Sequence, residues 1–157
     1  MWSIPNTFVY VFTMSTTIGY GHLTPGNPNI RLISIAYAMV SIPLLSSLVS
    51  QLSSAVSSLL VITSLSLRPD TDHVSPHVSS STLTLILTMV TMTGALMFSV
   101  LYQWDLETSV YFMFSSVSTV GFGDVIPGDS LMFLMVGGYI LIGLAVFSLW
   151  QESFVVG

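Results

Sequence analysis

Thr17-Ile18-Gly19-Tyr20-Gly21 and Thr119-Val120-Gly121-Phe122-Gly123 spell one pattern twice, 102 positions apart. Each copy is a threonine, a branched aliphatic, a glycine, an aromatic and a second glycine. Nothing in it is arranged for acid–base or nucleophilic chemistry. It suits a ligand set of uncharged oxygens: the carbonyls of Thr17, Ile18, Gly19 and Tyr20, with the Thr17 hydroxyl, can replace the water shell of a dehydrated cation. Thr119, Val120, Gly121 and Phe122 supply the matching set. Aligning successive carbonyls demands unusual backbone angles, which glycine reaches without a Cβ clash. The rings of Tyr20 and Phe122 are expected to point away from the ions and brace each loop against its helix.

The elements that must hold such loops are apolar. The chain has 157 residues, 52% hydrophobic and only 6% charged, with a mean hydropathy of +0.87. Soluble domains carry about a quarter charged residues. The charge-free run 32–67 exceeds the roughly 20 residues a helix needs to cross a bilayer. Runs 78–104 and 130–151 also suffice. These features predict an all-α membrane protein with three transmembrane helices and two re-entrant pore helix–filter loops. Arg31 and Arg68 are the only basic side chains besides histidine, which argues against a nucleic-acid partner. Cysteine is absent, so neither disulfides nor thiolate metal sites arise within it. Met1-Trp2-Ser3-Ile4-Pro5 lacks the basic flank and apolar core of a signal peptide.

Each half reads as a short amphipathic helix, the five-residue motif, a Pro-Gly exit and a spanning helix. Phe12 matches Phe114, and Pro25-Gly26 matches Pro127-Gly128. The short helices are expected near 6–16, capped by Asn6 or Thr7, and near 108–118, capped by Thr108 or Asp105 with Glu107 at the positive dipole end. Non-helical backbone at membrane depth survives only inside protein or beside water. The organisation is therefore 1–62, the first loop and its following helix; 63–81, a cytosolic linker; and 82–157, a helix, the second loop and the last helix.

The helix beginning at Arg31 is expected to kink at Pro43. Ser46, Ser50, Ser53 and Ser57 form a hydroxyl stripe that suits either close helix packing or the wet wall of a vestibule. Gly137-Gly138 and Gly143 in the last helix serve as hinge or packing positions. His73 and His77 flank Pro76 and read as a solvated loop rather than a metal pair. Arg68 favours a cytosolic linker.

Together these residues resemble the two-pore-domain potassium channels over nearly the whole chain. The likeness is carried by Thr16-Thr17-Ile18-Gly19-Tyr20-Gly21-His22, Tyr37-Ala38, Ile42-Pro43-Leu44, Phe98-Ser99, Trp104, Tyr111-Phe112, Thr119-Val120-Gly121-Phe122-Gly123-Asp124 and Leu141-Ile142-Gly143-Leu144. In potassium filters carbonyl rings replace the hydration shell, whether through cavity size or carbonyl field strength. The resemblance implies four spans per subunit, an extracellular cap, dimerisation and a potassium leak at the plasma membrane. The chain opens where family members already enter the first pore loop, so it is expected to be part of a longer product. Ser41 stands where a glycine commonly precedes Ile-Pro, and Tyr102 where an acidic residue is common. K+ is the permeant ion, and no cofactor is expected.

Four loops surround an ion and one chain holds two. A second copy of the same or a related subunit must therefore close the ring, with the loops alternating and only C2 symmetry exact. At the mouth, His22 follows the first motif where Asp124 follows the second. A histidine pKa near 6.5 makes His22 a candidate proton sensor, or else a neutral packing residue. One charge about 5 Å from an ion at a dielectric near 20 is worth about 3 kcal/mol. An alternative function is a non-conducting subunit that joins or suppresses complete chains. An enzyme is not expected, because no Gly-x-Ser-x-Gly or His-Glu-x-x-His motif is present.

Overall fold

The computed structural model describes residues 2–67, 78–128 and 130–155. Arg68, His73 and His77, which carried the expectations for the linker, lie outside those residues. Five helices follow one another: α1 (Ile4–Ser15), α2 (Pro28–Leu67), α3 (Ser80–Tyr102), α4 (Leu106–Val117) and α5 (Ser130–Val155). No strand occurs among the described residues.

α1 starts earlier than the expected Asn6 or Thr7 cap. Ser3 is the N-cap: its backbone is extended and its Oγ accepts from the Asn6 amide at 3.4 Å. Pro5 explains the shift, because a proline in the first turn has no N–H to leave unpaired. The Thr7 hydroxyl instead donates back to the Ser3 carbonyl at 2.9 Å. On α4 the cap position falls to Asp105, without a side-chain cap bond, and Glu107 sits in the first turn. Thr108 is already inside the helix.

Three stretches are long and apolar enough to cross a membrane: Pro28–Thr63, Ser80–Tyr102 and Val136–Val155. α2 alone has 40 residues, about 60 Å at ~1.5 Å per residue. It continues as helix through Pro43. Leu32, Ile33, Met39, Val40 and Leu44 stand exposed along it, a surface suited to hydrocarbon or further protein. α4 and α5 pack on α3, while α5 also meets α1 and α2.

Between these helices lies a dense core of Phe98, Phe112, Met113, Val117 and Ile140, joined by Tyr20 from the first loop. Two close approaches depend on glycine. A Cβ at Gly94 would come within 2.6 Å of both Met113 and Tyr139, and one at Gly143 would overlap Val117. Tyr139 also donates to the Val90 carbonyl at 2.7 Å, locking α5 to α3. α3 turns into α4 through Gln103, which adopts a left-handed φ of 56°. That turn brings the second short helix against the first loop, where Phe112 stacks on Tyr20.

Candidate functional site

Both loops leave their helices through the same hydrogen bonds. The amide of Thr16 reaches Phe12 O at 2.9 Å, and that of Ser118 reaches Phe114 O at 3.0 Å. The amides of Thr17 and Thr119 reach Met14 O and Ser116 O, both at 3.2 Å. Those of Gly19 and Gly121 reach Thr13 O and Ser115 O, both at 2.9 Å. The 102-residue register of the sequence is thus kept bond for bond.

The backbone alternates in hand. φ is positive at Thr17 (60°), Gly19 (59°) and Gly21 (76°), and again at Thr119 (59°), Gly121 (54°) and Gly123 (76°); Ile18, Tyr20, Val120 and Phe122 between them are not in that region. Alternating handedness lets neighbouring carbonyls turn to one side, which is what a stack of cation-binding oxygens needs. Sequence reasoning assigned the unusual angles to the glycines and missed the two threonines. A β-branched residue at positive φ is a genuine outlier, and no pattern of residue types signals it.

The loops lie against one another. A Cβ at Gly121 would overlap the Ile18 carbonyl oxygen, and one at Gly123 would overlap that of Tyr20. Tyr20 crosses to the second short helix, where its hydroxyl and that of Ser116 lie 2.6 Å apart. Its ring stacks on Phe112 at 5.8 Å and meets the edge of Phe133 at 6.2 Å. Tyr20 therefore braces the neighbouring helix, not its own. Phe122 is 62% exposed against 5% for Tyr20, and Val120 is 50% exposed against 3% for Ile18.

Beneath the loops, a cavity of about 280 Å³ is lined by Thr17, Thr119, Ser46, Ser50, Ser148 and Gln151 among others. Ser15 and Thr16 at the C-terminal end of α1 also line it, so the negative end of that helix dipole faces the space and favours a cation there. The serine stripe divides by depth. Ser46 and Ser50 line this cavity, whereas Ser53 is buried at 2% exposure. Ser148 and Gln151 carried no sequence signal, because they stand singly in an apolar helix.

At the mouth, Asp124 accepts from the Tyr111 hydroxyl and from the Val125 amide, each at 3.0 Å. His22 lies 6.2 Å from the Tyr20 ring. Its side chain is exposed over much of its surface, yet partial desolvation lowers its pKa below 6.5. Of the expected hinge positions, a Cβ at Gly137 would meet the Phe12 ring at 3.5 Å and one at Gly138 would meet nothing within 4 Å. Pro43 is exposed within α2.

A family model described as ion channel matches residues 1–58 and 84–155, so both loops and the helices after them fall within it. TWiK family of potassium channels protein 18 of Caenorhabditis elegans is 29% identical over 94% of the chain and 40% of its own length. Potassium channel subfamily K member 4 of Rattus norvegicus is 31% identical over 82% of the chain and 34% of its own length. Potassium channel subfamily K member 7 of Homo sapiens is 28% identical over 98% of the chain and 54% of its own length. The chain thus spans between a third and about half of these relatives. It belongs to the two-pore-domain potassium channel family, as the loop pair implied. These relatives give no support to a non-conducting subunit.

Proposed function

We propose that this chain forms the conduction part of a potassium-selective leak channel in the plasma membrane, in which two copies surround one pore. The carbonyls of residues 17–20 and 119–122 bind K+ in turn, and the hydroxyl-lined space below holds the ion while it rehydrates. Asp124 raises the local K+ concentration at the mouth, and His22 modulates it with pH. Pro43, Gly137 and Gly138 allow the inner helices to bend.

The observation that carries this reading is the repeated left-handed backbone at 17, 19 and 21 and at 119, 121 and 123. Strain of this kind concentrates where function demands it. The open and packed faces support pairing of two chains. Gly121 and Gly123 are covered by the first loop, while a Cβ at Gly19 would meet nothing within 4 Å. Val120 and Phe122, the repeats of the residues that do the covering, are exposed. Each chain therefore offers one half of a contact and lacks the other.

The test is ion-substitution recording on the complete protein. Replacing external K+ by Na+ should drive the reversal potential strongly negative, with current present at all voltages. Equal passage of Na+ and K+ refutes the assignment.

A further inference from the structure

Tyr20 sits in a socket built by the second half of the chain, and the first half contains the same socket without an occupant of its own. Phe112, Ser116 and Phe133 touch Tyr20 directly. Ile126, Val136 and Ile140 belong to the same packed core. Shifted back by the repeat, these six positions are Tyr10, Met14, Thr24, Arg31, Ser34 and Ala38. All six line a single cavity of about 520 Å³ between α1 and α2.

We propose that this cavity receives Phe122 of the partner subunit, and that the exchange of Ser116 for Met14 fits each socket to its own aromatic. This deepens, and rests on, the two-chain reading above. Direction agrees: within the chain the first loop's aromatic reaches forward to the second short helix, so the second loop's aromatic must reach forward to the first short helix of the next chain. Availability agrees too, because Phe122 is exposed and stacks on Tyr111 of the preceding helix, with ring centroids 5.5 Å apart.

The chemistry is matched on both sides. Tyr20 has a hydroxyl and meets the Ser116 hydroxyl; Phe122 has none and would meet the Met14 thioether, a weak acceptor that packs well against rings. Arg31 stands where Phe133 stands in the filled socket. Its Nε donates to the Pro25 carbonyl at 2.9 Å, which fixes the guanidinium beside the space. A cation there can attract the face of the Phe122 ring. A tyrosine seated against Met14 would bury its hydroxyl beside a poor partner. The two sockets therefore discourage pairing of like loops and enforce alternation around the pore.

The test uses full-length protein carrying p-benzoylphenylalanine at position 122, irradiated in membranes and mapped by mass spectrometry. A dimer-sized adduct on the peptide holding Met14 is expected. Attachment to lipid, to the same chain, or to a segment outside Tyr10–Ala38 overturns the proposal. A second measurement stands apart from the probe: Phe122→Tyr should weaken dimers by about tenfold on dilution, and adding Met14→Ser should restore them to within about twofold. Absence of rescue also overturns it. K+-selective flux with adducts elsewhere removes the socket alone, whereas a Met14 adduct in a protein that does not select K+ removes the conduction reading and leaves the socket.

Discussion

The two loops share sequence pattern, hydrogen bonds and backbone angles, yet they differ in what covers them. The first has its aliphatic and aromatic side chains buried at 3% and 5% exposure and its glycine side open. The second has its glycine side covered and its side chains exposed. In the two-chain reading proposed above, identical local structure with opposite surroundings is what a ring of four would show when cut between the second loop and the next. On that reading repetition alone does not build the pore, and the second loop needs the first loop of another chain.

This contrast can be broken most severely at the glycines. Gly121→Ala and Gly123→Ala should abolish K+ current and lower the melting temperature of the monomer, since each Cβ would collide with a carbonyl of the first loop. Gly19→Ala adds about 1 kcal/mol of left-handed strain in the monomer, a much smaller loss. In the assembled channel all three should abolish current. A Gly19→Ala channel that conducts normally would show that the open face stays open.

A middle-sized effect is expected at the crossing tyrosine. Tyr20→Phe leaves the Ser116 hydroxyl its bond to Phe112 O at 2.7 Å, so stability should fall by about 1 kcal/mol in thermal unfolding. Phe122→Leu should leave monomer stability nearly unchanged and weaken the dimer. Equal monomer losses from both changes would contradict the asymmetry.

The mouth gives the smaller differences. Asp124→Asn removes a negative charge near the pore and should reduce single-channel K+ conductance by about two- to threefold, less at high salt. His22 answers it on the first loop. Desolvation favours the neutral imidazole, so half-protonation falls below pH 6.5. Current should be full at pH 7.5 and fall toward pH 5.5, with a midpoint below 6.5, and His22→Asn should flatten the curve. A midpoint above 7 would contradict the direction of the shift.

Much of this was legible in the residues. The motif pair, the Pro-Gly exits and the apolar runs gave the helices and loops, because each depends on local composition. Pro5 moved the cap of α1 to Ser3, a signal present in the sequence but outweighed by the apparent caps at Asn6 and Thr7. The partnership of Tyr20 with Ser116 was not legible, since it joins positions 96 apart and depends on how α4 packs on α3 and α5. Neither was the exposure of Val120 and Phe122, because a repeat read as letters makes both halves equivalent. The serine stripe allowed two uses, and only depth along α2 separates them.

Thr17 and Thr119 hold angles that would suit glycine better, so each is a compromise between comfort and equipment. Glycine there would relax the chain and forfeit a hydroxyl at the cavity's roof; serine would keep the hydroxyl and give up a stiffening methyl. The conformation is held by its surroundings rather than by preference, among them the bonds of the Thr17 and Thr119 amides to the ends of their helices. If the loops conduct as proposed, such a conduit is tensioned: drained of its cargo, its cavity-facing end at Thr17 and Thr119 is where the backbone should first let go.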